Sequence, residues 1–210
     1  MNTSYSQNGE DLIIEEYFKT LNLKSPRLLD LGANDGITLS NSYKLLKSGK
    51  WHGVLVEPSV EAYRRLQENL KGLSVTLLNF AIGTNDGVID FMESGAHFSN
   101  GADIALVSTI SETDYNKWKH TTSWKKYQVN VFTIDTLFSK LGYDKFDFVS
   151  MDIEGMDLHV LKQMDLSRME VKCMCVEHNG KDIDHYVNYC QKYGLIETSR
   201  NAENIIFIKK

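Results

Sequence analysis

An apolar run that stops on closely spaced glycines leaves a chain few ways to fold, and such a run stands at Leu28-Leu29-Asp30-Leu31-Gly32-Ala33-Asn34-Asp35-Gly36. It reads as a buried strand entering a tight turn and then a helix. Gly32 and Gly36 permit close approach of a ligand to main-chain N–H groups and a sharp entry into the helix. Asp30 stands at the mouth of the strand. Dinucleotide-binding turns read Gly-x-Gly-x-x-Gly, the second glycine making room for a pyrophosphate, but here that place is Asn34. The next strand, Gly53-Val54-Leu55-Val56, ends in Glu57-Pro58, an acid placed to bind the two hydroxyls of a ribose. The pair of signals fits a ligand with an adenosine and no phosphates.

The rest of the chain alternates strand and helix. Residues 10–21 carry Ile13, Ile14, Tyr17, Phe18 and Leu21 at helical spacing. Ahead of them, Tyr5-Ser6-Gln7-Asn8-Gly9-Glu10-Asp11 reads as a helix start, with Asn8 or Ser6 near the cap and the two acids in the first turn. Its Gln7 could equally fold over a bound ligand. After the glycine turn the pattern predicts a helix over 40–48, a strand at 52–57, a helix through Tyr63, Leu66 and Leu70, and a strand at 75–80. Asn85-Asp86-Gly87 reads as a hairpin turn into Val88-Ile89-Asp90-Phe91. Strands at 128–135, 145–152 and 171–176 follow, with helices around 136–141, 158–166 and 183–193. A terminal antiparallel pair at 195–198 and 205–208 suits a sheet edge. Such alternation predicts an α/β fold with a parallel sheet covered on both faces. Ligands of such sheets sit beyond the carboxyl ends of the strands, so Asp30, Glu57 and the turn at Ala81-Ile82 converge on one crevice.

With 210 residues, 42% hydrophobic and 24% charged, the chain reads as a single globular domain. No apolar run is long enough for a membrane span, and the first residues lack signal-peptide character, so a cytoplasmic location is the expectation. A net charge of -5 argues against a broad nucleic-acid surface. Cys173, Cys175 and Cys190 fit no disulfide or zinc pattern and read as buried thiols. Residues 93–128 lose periodicity and read as a long irregular insert, of the kind that in a compact domain tends to be functional. Its Trp118 and Trp124 could stack on a sugar or aromatic acceptor, with Lys117, Lys119, Lys125 and Lys126 available to a phosphate or carboxylate. His97 and His120 read as plain loop residues.

Taken together, the segment 5–11, the glycine turn, Ser40-Asn41, 51–58, Asn79-Phe80-Ala81-Ile82-Gly83 and Asp147-Phe148-Val149-Ser150-Met151-Asp152-Ile153-Glu154-Gly155 resemble the FkbM family of S-adenosylmethionine-dependent methyltransferases. The resemblance implies a three-layer Rossmann-like class I methyltransferase fold with a mostly parallel seven-stranded sheet and an antiparallel C-terminal strand. It further implies S-adenosylmethionine as cofactor and methyl transfer, most often to a hydroxyl of a sugar, glycan or secondary metabolite. Carried over by motif, Asp30, Gly32 and Asn34 would surround the methionine part, Glu57 with Pro58 the ribose, and Ala81 with Ile82 the adenine. The family often has Lys two residues before the Asp of Asp-x-Glu-Gly; here that place is Ser150.

An alcohol is a poor nucleophile near neutral pH, and a positioned base or a metal ion helps remove its proton. Asp152, Glu154, Glu177 and His178 lie at adjacent strand ends. Either His178 or Asp152 could act as base, with Glu154 or Glu177 orienting it or helping to bind a divalent cation. A metal is not the favoured reading, because no ligand pair here is diagnostic. The bland alternative has Asp152 and Glu154 capping the next helix and Glu177 and His178 satisfying a loop. Methylation of base amino groups would favour an Asn/Asp-Pro-Pro-aromatic turn, and this chain has Asp152-Ile153-Glu154-Gly155 instead. The rival from another class is a non-catalytic module that binds S-adenosylmethionine or a nucleoside.

Overall fold

The structure, a computed structural model, describes residues 3–98 and 105–210, apart from the side chain of His97. Residues 99–104 of the expected insert therefore lie outside the described residues. The main sheet is built from β1 (Arg27–Leu31), β2 (His52–Val56), β3 (Val75–Leu78), β7 (Phe148–Met151), β8 (Cys173–Glu177), β9 (Leu195–Arg200) and β10 (Asn204–Lys209). Their order is β3-β2-β1-β7-β8-β10-β9. β10 runs antiparallel to both β8 and β9, while β1, β2, β3, β7 and β8 are parallel. The chain steps from β1 to β2 and β3 on one side and later from β7 outward on the other. That reversal opens a crevice beyond the carboxyl ends of β1 and β7.

Strand alternation sorts the core into two layers of packing. Leu29, Leu31, Val54, Val56, Val149 and Met151 face α5 (Ile134–Leu141), α6 (Asp157–Leu161) and α7 (Ile183–Lys192). Leu28, Leu55, Phe148, Cys173, Cys175 and Ile206 face α1 (Glu10–Lys19), α2 (Tyr43–Lys47) and α3 (Val60–Asn69). Each of these fully buried side chains contributes about 1.5–3 kcal/mol by leaving water. The three cysteines are buried and unpaired, as their spacing predicts, and burial raises all three thiol pKa values. Asp30 falls on the Leu28 side of β1, a charged group set among apolar neighbours.

Several boundaries differ from expectation. α1 starts from Gly9 in the left-handed conformation, which brings no side-chain cap of its own; Ser6, as expected near the cap, accepts through Oγ from the first-turn N–H of Asp11 at 3.2 Å. The helix expected over 40–48 is only α2, because Ser40 Oγ accepts from the main-chain N–H of Ser42 and Tyr43 and holds the preceding residues in a turn. α6 is also short, and irregular turns follow it.

The largest difference is the insert. Its described residues, together with the flanking segments, form β5 (Gly87–His97), α4 (Glu112–Trp118) and β6 (Thr122–Phe132); β5 and β6 with β4 (Ala81–Ile82) make a second, three-stranded sheet in the order β4-β6-β5. Asn85-Asp86-Gly87 is no hairpin turn. β4 pairs with β6 in parallel and β5 pairs with β6 antiparallel, so that turn links strands on opposite sides of β6. Asp86 instead accepts from Thr133 N at 2.7 Å and Thr136 Oγ at 2.5 Å, tying the turn to the start of α5. Among the described residues no helix is long and apolar enough to cross a membrane.

Candidate active site

The first wall grows from the β1 turn. Gly32 and Ala33 donate to the carbonyl of Val56, which folds the turn onto β2. Gly32 has φ +84°, and a Cβ there would overlap the carbonyl oxygen of Asp152. Only glycine fits at this crossing of β1 and β7. The turn then delivers the N–H of Asn34 to Glu57 Oε2 at 2.8 Å, while Ser59 N–H donates to Oε1 at 2.7 Å. Burial pushes the Glu57 carboxyl up to about 7, against the pull of those two donors. Each oxygen keeps a further lone pair for a ligand hydroxyl. Asp30 is buried as well, accepts from Ser42 Oγ, and is pushed up to about 6, chiefly by burial.

The second wall is apolar. Ala81 and Ile82 of β4, Phe91 of β5 and the segment 105–110 close over the crevice. Thr109 and Met92 exchange two main-chain hydrogen bonds at 3.0 Å each, which pins that segment along β5 like a hood. The cavity has a volume of about 630 Å³, within the usual range for a small-molecule site.

The third wall is acidic. Asp152 N donates to Leu31 O at 2.9 Å, which fixes the end of β7 beside β1. From there Asp152, Glu154 and Glu177 bring carboxylate oxygens within 4.8 Å of one another, close enough to repel strongly when ionised and to hold a cation between them. Beneath them Asp157 accepts from Ile153 N at 3.0 Å and Gly155 N at 3.3 Å and shapes the loop. The Asp152 side chain is open to the cavity yet surrounded by protein, and burial lifts its pKa to about 6. Burial and the neighbouring negative charges raise Glu154 and Glu177 much further, and Glu177 donates a hydrogen bond to Asp152. Crowded in this way, the carboxyls cannot all ionise, and the group keeps at least one proton near neutral pH, held more firmly by Glu177 than by Asp152. α4 leans on this loop: Thr109 Oγ donates to Glu154 O at 2.8 Å, and Asp114 lies directly over Gly155. Lys117 and Trp118 also reach the cavity, Lys117 Nζ lying 4.4 Å from the Trp118 ring centre.

Of the residues expected from the sequence, Gln7, Asp30, Gly32, Asn34, Glu57, Pro58, Ala81, Ile82, Asp152, Glu154 and Glu177 all line this one cavity. Gly36 does not; it packs beneath the turn against Leu66 and Leu70, where its φ of +78° and lack of a side chain are steric needs. His178 is also outside the lining. Its Nδ1 accepts from Gly180 N at 2.8 Å, its own N–H donates to Glu203 O at 2.7 Å, and burial lowers its pKa. The imidazole thus holds the turn after β8. Trp118 reaches the cavity, whereas Trp124 packs edge-on against Tyr115 at 5.0 Å and His120 is exposed.

Sequence reasoning missed Thr38, Leu39, Thr109, Asn179, Glu203 and Asn204 as lining residues. Ser40 and Asn41 were visible only as part of a family motif. Ser150, at the place where a Lys is common, also lines the cavity and accepts from Asn41 Nδ2 at 3.5 Å. Such small polar residues carry no spacing signal of their own. Glu10 and Asp11 sit in the first turn of α1 as expected, and are buried there at 1% exposure each.

The model of the methyltransferase FkbM domain matches residues 30–195. A methyltransferase FkbM from Methylobacillus flagellatus KT is similar with a TM-score of 0.55 and 18% identity, over 90% of this chain and 45% of that one. A methyltransferase from Geobacter sulfurreducens gives a TM-score of 0.51 at 12% identity, over 97% of this chain and 79% of that one. The CurJ carbon methyltransferase gives 0.52 at 8% identity, over 97% and 55%. These identities speak for the fold, and the chain spans less than half the length of the Methylobacillus protein. No curated protein matches the chain.

Proposed function

This chain belongs to the FkbM family of S-adenosylmethionine-dependent methyltransferases, and on that premise we propose that it methylates a hydroxyl oxygen on a sugar, glycan or secondary-metabolite acceptor. The observation that carries the reading is the meeting of two unlike carboxylate groups in one cavity: Glu57, aimed by main-chain N–H groups, and the crowded trio of Asp152, Glu154 and Glu177.

The residues fit the cofactor. Glu57 offers acceptors to the ribose hydroxyls, Ala81 and Ile82 offer an apolar face to the adenine, and Asp30, Gly32 and Asn34 surround the methionine part, with Pro58 and Gln7 on the rim. The acidic lining favours a sulfonium cation over its neutral product. When bound, the cofactor supplies an electrophilic methyl group. The chain must then hold an acceptor in line with it, exclude water and receive one proton. Asp152, ionised near neutral pH, takes the proton of the acceptor hydroxyl; Glu177, already protonated, donates a hydrogen bond to it and keeps it oriented. The hood at 105–110 and Trp118 bound the acceptor side.

The test pairs binding with turnover. Wild-type protein binds S-adenosylhomocysteine in a calorimetric titration and transfers labelled methyl to at least one member of a panel of glycans, nucleotide sugars and lipid-linked sugars. Asp152→Asn keeps that binding within a few-fold while transfer falls about 10²–10⁴-fold. Equal turnover in the variant would reject Asp152 as base. Binding without transfer across the panel, with and without chelator, would favour a module that only binds the cofactor.

A further inference from the structure

A carboxylate in the first turn of a helix ordinarily faces water and gains a few tenths of a kcal/mol to about 1 kcal/mol from the helix dipole. Glu10 does neither of the usual things. It is 1% exposed and its partners come from the far end of the chain. Oε1 accepts from Asn201 Nδ2 at 2.7 Å and Asn204 Nδ2 at 2.9 Å; Oε2 accepts from Asn8 N at 2.8 Å. Burial alone would raise its pKa, yet these donors hold the carboxyl below its usual value. Asn201 in turn accepts from the N–H groups of Glu203 and Asn204, so the β9–β10 turn is folded around the same knot. Asn8 Nδ2 adds a bond to Glu203 Oε2 at 3.0 Å.

The segment before α1 is fastened on its other side as well. Asp11 accepts from Tyr5 N and from the hydroxyls of Ser4 and Ser6, and Ser6 bridges to Leu39. Residues 4–9 thus lie as a strap between the 38–41 segment and the 203–204 turn, with Gln7 between the two fastenings. Gln7, Ser40, Asn41, Glu203 and Asn204 all line the cavity. In the sheet, β10 lies beyond β8, on the opposite side of the crevice from β2 and Glu57. The strap therefore borders the end of the cavity away from the ribose acid.

We infer that Glu10 is a positioning residue: through Asn8, Asn201 and Asn204 it fastens the strap to the β9–β10 turn and sets Gln7 against the amino acid tail of the bound cofactor, an inference that rests on the cofactor reading above. The tail carries an ammonium and a carboxylate, and the Gln7 amide both donates and accepts.

The test compares two ligands. S-adenosylhomocysteine has the tail and 5′-methylthioadenosine lacks it, so their affinity ratio reads the strap and is blind to the adenosine end. Wild type, Gln7→Ala, Glu10→Gln and the double variant are titrated with both. Each single variant weakens S-adenosylhomocysteine about tenfold and leaves methylthioadenosine within about twofold. Because Glu10 acts through Gln7, the double variant is about as weak as the weaker single one. Losses that multiply in the double variant, equal losses for both ligands, or no change in either would overturn the latch. Should Glu10→Gln not fold, Asn8→Ala removes the bond to Glu203 from the exposed side and is expected to shift the same ratio in the same direction; an unchanged ratio there, with Gln7→Ala also unchanged, rejects the inference. If wild type binds neither compound, the cofactor reading falls and takes the latch with it, an outcome distinct from all of these.

Discussion

The acids at the end of β2 and those at the ends of β7 and β8 face the same cavity and are built in opposite ways. Glu57 meets two main-chain N–H donors, so its direction is fixed before any ligand arrives. Asp152, Glu154 and Glu177 meet one another, with Asp157 below them. The first arrangement suits recognition, where a rigid acceptor gains affinity by losing nothing on binding. The second suits chemistry, since carboxyls that cannot all ionise keep protonation states apart within a few ångströms. A single fold supports both because parallel strands end at one edge, while the loop after each strand is free to differ.

The heaviest blow to that comparison falls where the two regions touch. Gly32 bonds to β2 through its N–H and lies under the carbonyl of Asp152. Gly32→Ala would combine an unfavourable positive φ with a main-chain overlap, costing about 3 kcal/mol or more. For a chain of this size that lowers the melting temperature by roughly 6–12 °C. Binding of S-adenosylhomocysteine is lost with it. A melting curve within about 2 °C of wild type and intact binding would show that the two regions are not joined at this residue.

A narrower change separates them. Glu57→Gln places an amide N–H against one of the two main-chain donors, Asn34 or Ser59. That leaves a buried donor unmatched, at about 1–3 kcal/mol of stability, and removes an acceptor for the ligand. S-adenosylhomocysteine affinity is expected to fall about 10–100-fold, read by titration. Retained affinity would mean that the N–H groups orient Glu57 for packing alone.

The sequence made the β2 side more legible than the rest, for a physical reason. Glu57 with Pro58 ends the apolar run of β2, and Ala81 with Ile82 follows that of β3; such runs fix both the strand and the edge to which it delivers its last residue. Parts of the three-stranded sheet were legible, 88–91 and 128–135 reading as strands, but its extension into the insert and its pairing escaped, because β6 carries mostly polar residues and no local period marks a ladder whose partners are distant in sequence. Glu10 escaped for the same reason, its side-chain partners lying 191 and 194 residues away. His178 misled in the other direction: a polar residue next to a strand end looks like chemistry, but one main-chain bond from Gly180 turns its ring into part of a turn.

The smallest effect is the sharpest test of the acidic side, and its sign is unusual. Glu177 is raised far above its ordinary 4.5, by burial first and then by Asp152, Glu154 and Asp157. The folded protein therefore holds this proton where the unfolded chain has released it. Stability from such a group is full below the unfolded pKa and is lost as pH rises toward the folded one, a window that spans neutral pH. Glu177→Gln replaces a protonated carboxyl with an amide that can still donate to Asp152 and never ionises in the unfolded chain. The variant should match wild type near pH 5 and melt a few degrees higher near pH 8, with the gap widening steadily between them. An acid with the same pKa folded and unfolded would give no such widening, the variant tracking wild type from pH 5 to pH 8. Thermal melts of the two proteins across that pH range distinguish a trio that keeps a proton from one that is simply charged.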